Sequence, residues 1–305
     1  MRAITRDDYR DRIIRVLRHM QDHLDEEMTP AELAKVASFS AYHFQRVFRS
    51  LTGESVMSHI RRLRLERAAL ALLSEKGDTE QGITGLAFDA GYRSHEAFTR
   101  AFSAHFGRSP REFRQHGRSV HLPTVPSGVH YGALEELKEW NFIETECISM
   151  EVEIKQVPGV KYAYLEHKGP YEGIGTCFEQ LFGIAGKAGM LGPGMESFGL
   201  YYDDPDSTPA EKLRSRACLK VGENPQFDPS IGLKVDQRAG GQYAVVMYRG
   251  PYENLKQPYD FLYREWLPES GHEPADAPCF EIYINNPQEV KPEDLLTQIC
   301  VPLAG

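Results

Sequence analysis

Apolar residues recur at helical spacing through the first third of the chain and at alternate positions through much of its second half. Over residues 9–24, Tyr9, Ile13, Val16, Leu17, Met20 and Leu24 predict an amphipathic opening helix. Thr29-Pro30-Ala31-Glu32 reads as a capping box with proline at the first helical position, so a second helix is expected from there to about Ala37. Residues 40–53, SAYHFQRVFRSLTG, carry Phe44, Val47, Phe48 and Leu51 as one stripe and leave Tyr42, Gln45, Arg46 and Arg49 on the other side. The pattern returns at 94–107, SHEAFTRAFSAHFG, with Phe98, Ala101 and Phe102 inward and His95, Glu96, Thr99 and Arg100 outward. A serine at each start suits an N-cap and a glycine at each end suits a C-terminus.

The flanks repeat as well: Leu33, Ala34 and Ala37 recur as Leu86, Ala87 and Ala90. Each unit is thus a short helix, a tight turn and a longer helix with polar and basic residues outward, which predicts two helix-turn-helix units. Between them, residues 55–73 read as one long helix carrying Arg61, Arg62, Arg64 and Arg67, roughly 27 Å of rod. Residues 75–82 read as a turn, and Ser109-Pro110-Arg111-Glu112 as a second capping box. Residues 121–141, with four prolines and glycines, read as a connector with a short helix at 133–140.

From Met150 the period becomes that of strands. Strands are expected at 161–167, 197–202, 217–221, 242–248, 279–285 and 297–301, with helices after each copy of Gly-Pro-Tyr-Glu, at 169–172 and 250–253. A duplicated strand-helix-strand-strand unit should close into one curved, mainly antiparallel sheet with a groove between its halves. The expected fold is therefore an all-α double helix-turn-helix domain at 1–118, a linker at 119–149, and an α+β domain at 150–305.

Charge sharpens this division. The net charge of -9 averages 20 Lys+Arg against 16 Asp+Glu in residues 1–118 with 15 against 28 in the remainder. The basic part suits phosphates and the acidic part does not. Five dispersed cysteines without a Cys-x-x-Cys indicate neither a disulfide framework nor a zinc site, and no metal or other cofactor is expected. No apolar run reaches membrane length, so a cytoplasmic protein without membrane partners is expected.

The segments IRRLRLERAALALL and ITGLAFDAGYRSHEAFTRAFSAHFGRSPREFR give residues 9–116 a resemblance to the DNA-binding domain of the AraC family of bacterial transcription regulators. The resemblance implies double-stranded DNA as partner, with two recognition helices in adjacent major grooves. Tyr42, Gln45 and Arg46 of the first helix, with Arg49 beside them, and His95, Glu96, Thr99 and Arg100 of the second fall at or near base-facing positions. Arg61 and Arg62 are expected on phosphates. An activator role, and with it RNA polymerase as a partner, is the expectation the family supplies.

The paired GPYE motifs, FGLYYDDPDSTPAEKLRS and FEIYIN give residues 150–303 a resemblance to the gyrase-inhibitor-like ligand-binding domain, and the whole to Rob-like regulators. That resemblance implies a small-molecule effector held by a carboxylate in an aromatic cavity, with Glu281 at the matching position. On an extended strand Tyr283 shares its face, and Tyr162, Tyr164, Phe198 and Tyr201 are expected to line the cavity. A carboxylate out of water with nearby tyrosines favours lipophilic cations. Arg216 stands where relatives often place an acid and would pair with Glu281 or alter the preferred ligand charge. Two alternatives stay open for this domain: hydrolysis of reactive small molecules, with Glu281 as base and Tyr283 or Tyr164 as donor, or binding of a protein partner.

Overall fold

Both capping boxes fold as reciprocal pairs. Thr29 Oγ1 accepts from Glu32 N at 3.3 Å while Glu32 Oε2 accepts from Thr29 N at 2.9 Å, and Ser109 and Glu112 repeat the arrangement at the same distances. The computed structural model describes residues 4–73, 82–116, 121–144, 148–192, 195–223, 225 and 232–305; the turn expected at 75–82 falls, but for Gly82, outside them. The helices are α1 (Arg6–Asp22), α2 (Pro30–Ala37), α3 (Phe44–Thr52), α4 (Val56–Leu73), α5 (Ile83–Asp89), α6 (His95–Phe106) and α7 (Pro110–His116). The pairs α2–α3 and α5–α6 are the two helix-turn-helix units, with α4 between them in the chain.

The two repeats differ at their starts. Ser94 caps α6, accepting from Ala97 N at 3.2 Å. Ser40 does not cap α3, which begins at Phe44; its Oγ accepts from Tyr42 N and donates to Asp276 Oδ1 at 2.8 Å. Gly53 and Gly107, at φ 77° and 70°, end α3 and α6 in the left-handed conformation that glycine adopts without Cβ strain.

Packing divides the described chain into two units, one of Met1–Arg6, Phe39–Val47 and Thr145–Gly305, the other of Asp7–Ser38 and Phe48–Glu144. The division differs from the expected 1–118, 119–149 and 150–305. In the helical unit the connector is part of the packing: Val129, Leu137, Trp140 and Phe142 are buried, and Arg10 donates to the carbonyls of Trp140 and Lys138. In place of the helix expected at 133–140 there is one 3-10 turn, Glu136–Lys138.

The rod α4 is buried along most of its surface and takes His59, Arg62 and Glu66 inside, while Arg61 stays exposed. Arg62 donates to Glu54 Oε1 at 2.6 Å, Glu66 Oε1 at 2.9 Å and Val129 O at 2.8 Å, while His59 and Ser127 also meet Glu54. Burial pushes Glu54 upward, but the hydrogen bonds from His59 and Arg62 outweigh it and hold the carboxyl at about 2.

The other unit carries β1 (Val152–Val157), β2 (Val160–Lys168), α8 (Ile174–Lys187), β3 (Ser197–Tyr201), β4 (Arg214–Val221), β5 (Lys234–Arg238), β6 (Gly241–Arg249), α9 (Lys256–Phe261), β7 (Cys279–Tyr283) and β8 (Leu296–Pro302). A π-helical turn, Leu262–Trp266, continues α9. All eight strands form one antiparallel sheet in the order β1-β6-β8-β7-β3-β4-β2-β5. Each repeat lends its first strand to the other: β1 pairs with β6 and β5 with β2. The halves meet where β3 runs beside β7, with Gly199 opposite Glu281. One face of the sheet packs Ala163, Tyr201, Ala217 and Leu219 against Leu181 and Ala185 of α8. The opposite face gathers Tyr162, Tyr164, Phe198, Tyr243 and Phe280. Strand β5 was not expected, because four of its five residues are exposed and no alternation marks it.

A carboxyl held at about 2 when folded and at its ordinary value when unfolded contributes stability that is present above 4.5 and lost as the pH falls toward 2. Glu54→Gln should therefore lower neutral-pH stability by on the order of 3 kcal/mol and remove that part of the acid slope. Denaturant unfolding across pH 2–7 checks this, and an unchanged slope contradicts it.

Candidate effector site and nucleic-acid face

Alternation along β7 sends Glu281 and Tyr283 to the face that carries Tyr201, and Phe280 and Ile282 to the face that carries Tyr162, Tyr164 and Phe198. The six residues expected around one ligand are thus split by the sheet. Glu281, Tyr283 and Tyr201 come together; Tyr162, Tyr164 and Phe198 do not join them. Arg216 also lies across the sheet, over the Tyr164 ring at 4.0 Å and paired with Asp236 at 2.8 Å, so it does not meet Glu281.

Glu281 is 4% exposed. Its Oε1 accepts from Tyr259 Oη at 2.8 Å and its Oε2 from Tyr283 Oη at 3.0 Å. The Tyr283 and Tyr201 hydroxyls are hydrogen-bonded in turn, and Tyr171 packs edge-on against Tyr201, Tyr252 and Phe178 against Tyr283. Burial raises the Glu281 carboxyl above its ordinary value; the two phenols and the charge of Arg46 work against that rise without cancelling it.

Four of these residues, Tyr171, Phe178, Tyr252 and Tyr259, do not stand out in the sequence singly, although the repeat marks them. Tyr171 and Tyr252 are the tyrosines of the two GPYE motifs, and the same 81-residue offset sets Tyr259 where the first half has Phe178. Tyr201 and Tyr283 correspond across FGLYY and FEIYI, and there Gly199 stands for Glu281. The cage is two-fold in its aromatics and one-sided in its charge. A Cβ at Gly199 would stand 2.8 to 3.0 Å from the Tyr201 ring, so the glycine keeps that ring in place opposite the acid.

Arg46, expected at a base-facing position, is 4% exposed within the same unit. Its guanidinium lies over the Tyr259 ring at 4.7 Å and donates to Asp203 O at 2.8 Å and Cys279 Sγ at 3.3 Å. These partners are neutral. A charge so buried costs several kcal/mol, of which a desolvated cation–π contact returns about 2. His43 beside it donates Nε2–H to Ala277 O at 2.8 Å and accepts from Tyr263 Oη at 2.6 Å. Burial and then the Arg46 charge press its imidazole down to about 3, so it is neutral at physiological pH.

The remaining expected DNA contacts divide by exposure. His95, Glu96 and Arg100 are exposed on α6 above buried Phe98 and Phe102, with Thr99 half-buried. Tyr42, Gln45 and Arg49 are half-buried, and Arg61 is exposed. Arg62 is 7% exposed and engaged with Glu54 and Glu66, so it is not available to a phosphate. Among the described residues no group of His, Cys, Asp and Glu is placed to hold a metal ion, and no helix is long and apolar enough to cross a membrane.

A helix-turn-helix domain profile matches residues 33–116, and the GyrI-like small molecule binding domain profile matches residues 150–304. These define the class, a DNA-binding regulator with a domain for a small-molecule effector. Within it the chain belongs to the GyrI-like family. It is similar to the DNA gyrase inhibitor of Salmonella typhimurium, 34% identical over 142 residues, 46% of this chain and 90% of that protein. The DNA gyrase inhibitor of Escherichia coli K12 is likewise 34% identical over 142 residues, covering 46% and 89%. Among solved structures, the EcmrR C-terminal domain aligns with 52% of this chain and 99% of its own, at a TM-score of 0.41 and 17% identity.

Because the Glu281 carboxyl is raised in the folded chain, its burden on stability is absent below about 4.5 and grows as the pH rises past the unfolded value. Glu281→Gln should therefore stabilise the ligand-free chain at pH 7 and leave it nearly unchanged at pH 4, by thermal unfolding at both. Equal effects at the two pH values would contradict a buried, destabilised carboxylate.

Proposed function

We propose that this regulator is an activator whose effector is a lipophilic cation bound at Glu281, and that α6 supplies its principal base contacts. The observation that carries the effector class is a carboxylate almost without water, surrounded by Tyr201, Tyr252, Tyr259 and Tyr283. Burying a carboxylate is unfavourable unless a positive partner or strong donors meet it, and a phenol face adds cation–π attraction for the same ligand. A ligand with neither a positive charge nor a hydrogen-bond donor gains nothing from that carboxylate.

For DNA, the support is the exposed row His95, Glu96 and Arg100 on a helix anchored by Phe98 and Phe102. Arginine is the side chain best suited to bidentate contact with guanine in the major groove. Arg61 serves a phosphate, and Tyr42, Gln45 and Arg49 belong to the first recognition segment. Contact with RNA polymerase follows from the activator role.

Catalysis by Glu281 is the alternative. What weighs against it is that both carboxylate oxygens already accept from phenols and that Tyr164, one of the two donors it would use, lies across the sheet. A reactive ester that the parent hydrolyses and Glu281→Gln does not would reverse this.

An operator selected from random duplexes tests the DNA reading. Arg100→Ala should weaken specific binding by about 1 to 3 kcal/mol and relax preference at one base pair. Arg61→Ala should weaken all sequences alike and lower the salt slope by about 1. Unchanged affinity and salt slope in both variants would refute the assigned face.

A further inference from the structure

The position a cationic effector needs is already filled. Tyr259 offers its hydroxyl to Glu281 at 2.8 Å and its ring face to the Arg46 guanidinium at 4.7 Å, so acid, ring and cation form one stack. The corresponding place in the other half of the repeat has Phe178 for Tyr259 and Gly199 for Glu281; Arg46 lies on Tyr259 and bonds Cys279 in the half that carries the acid, and bonds Asp203 O in the other. No carboxylate bonds the guanidinium directly: its hydrogen bonds go to a backbone carbonyl and a thiol, and Glu281 acts on it through its charge across the Tyr259 ring. The segment that bears it is held by two neutral bonds, His43 to Tyr263 and Ala277, and by one hydroxyl–carboxylate bond, Ser40 to Asp276. Such bonds fix a geometry and can be exchanged for water when a better cation arrives.

We infer that Arg46 is the resident cation of the effector site, a tethered side chain that competes with the cationic ligand for the Tyr259 face beside Glu281. The inference rests on the cation reading of that site. Binding of the ligand and release of the Phe39–Val47 segment are then one exchange, because a cation on Tyr259 displaces the guanidinium. While Arg46 is held there, it cannot contact a base. The affinity measured for a ligand in the parent chain is lowered by the fraction of molecules in which Arg46 is docked.

Full-length parent, Arg46→Gln, Arg46→Met, Glu281→Gln and the double variant Arg46→Gln/Glu281→Gln would be titrated with tetraphenylphosphonium by calorimetry. Hydrogen exchange of the parent would be followed with and without the probe. Two replacements at position 46, one polar and one apolar, guard against a single variant that folds poorly. Both should bind about tenfold or more tightly than the parent, the gain should vanish with Glu281→Gln, and the probe should speed amide exchange across 39–47 in the parent. Equal affinity in parent and Arg46 variants, with loss only on Glu281→Gln, keeps the cation reading and overturns Arg46 as its competitor. Binding that survives Glu281→Gln, or binding absent from every chain, removes the cation reading and the inference with it.

Discussion

A carboxylate taken out of water is the constraint around which the second unit is arranged. Glu281 sits at the seam of β3 and β7, opposite a glycine, where both halves of the repeat contribute aromatic rings. Two phenols supply donors to it, and a third hydroxyl, on Tyr201, steadies one of them. Neutral donors lessen the desolvation cost of the anion, and the charge that faces it is the Arg46 guanidinium on the Tyr259 ring.

The duplication explains how such a site is built. A symmetric sheet yields two equivalent aromatic walls, and the single replacement of a glycine by a glutamate at corresponding positions gives one of them its charge. Exchange of β1 and β5 between the halves ties the walls together, since neither half is a complete sheet without the strand of the other. In the helical unit polarity is handled differently. Arg62, Glu54, Glu66 and His59 form a network in which opposite charges meet directly.

Much of this was legible from local pattern. The capping boxes, the repeated helix pairs, the paired GPYE turns and the exposed face of α6 all follow from spacing within a few residues. What was not legible depends on register between distant strands. Tyr162, Tyr164 and Phe198 suit the Glu281 site by being aromatic and on strands; which face they take relative to Glu281 is fixed by pairing of β2, β4, β3 and β7, and alternation within one strand cannot supply it. The burial of Arg46 and Arg62 is hidden from the sequence for a related reason. Helical spacing gives the side of a helix, whereas burial depends on Tyr259 and Cys279 in one case and on Glu54 and Val129 in the other.

The ionisation of Glu281 in the folded, ligand-free chain tests the account most directly. Carbon-13 labelling of the glutamate carboxyls, with Glu281→Gln to assign the resonance, would follow its titration site by site. The account predicts a midpoint above the ordinary value of 4.5 that falls when a lipophilic cation is bound. A midpoint at or below 4.5 that does not respond to the cation would contradict it.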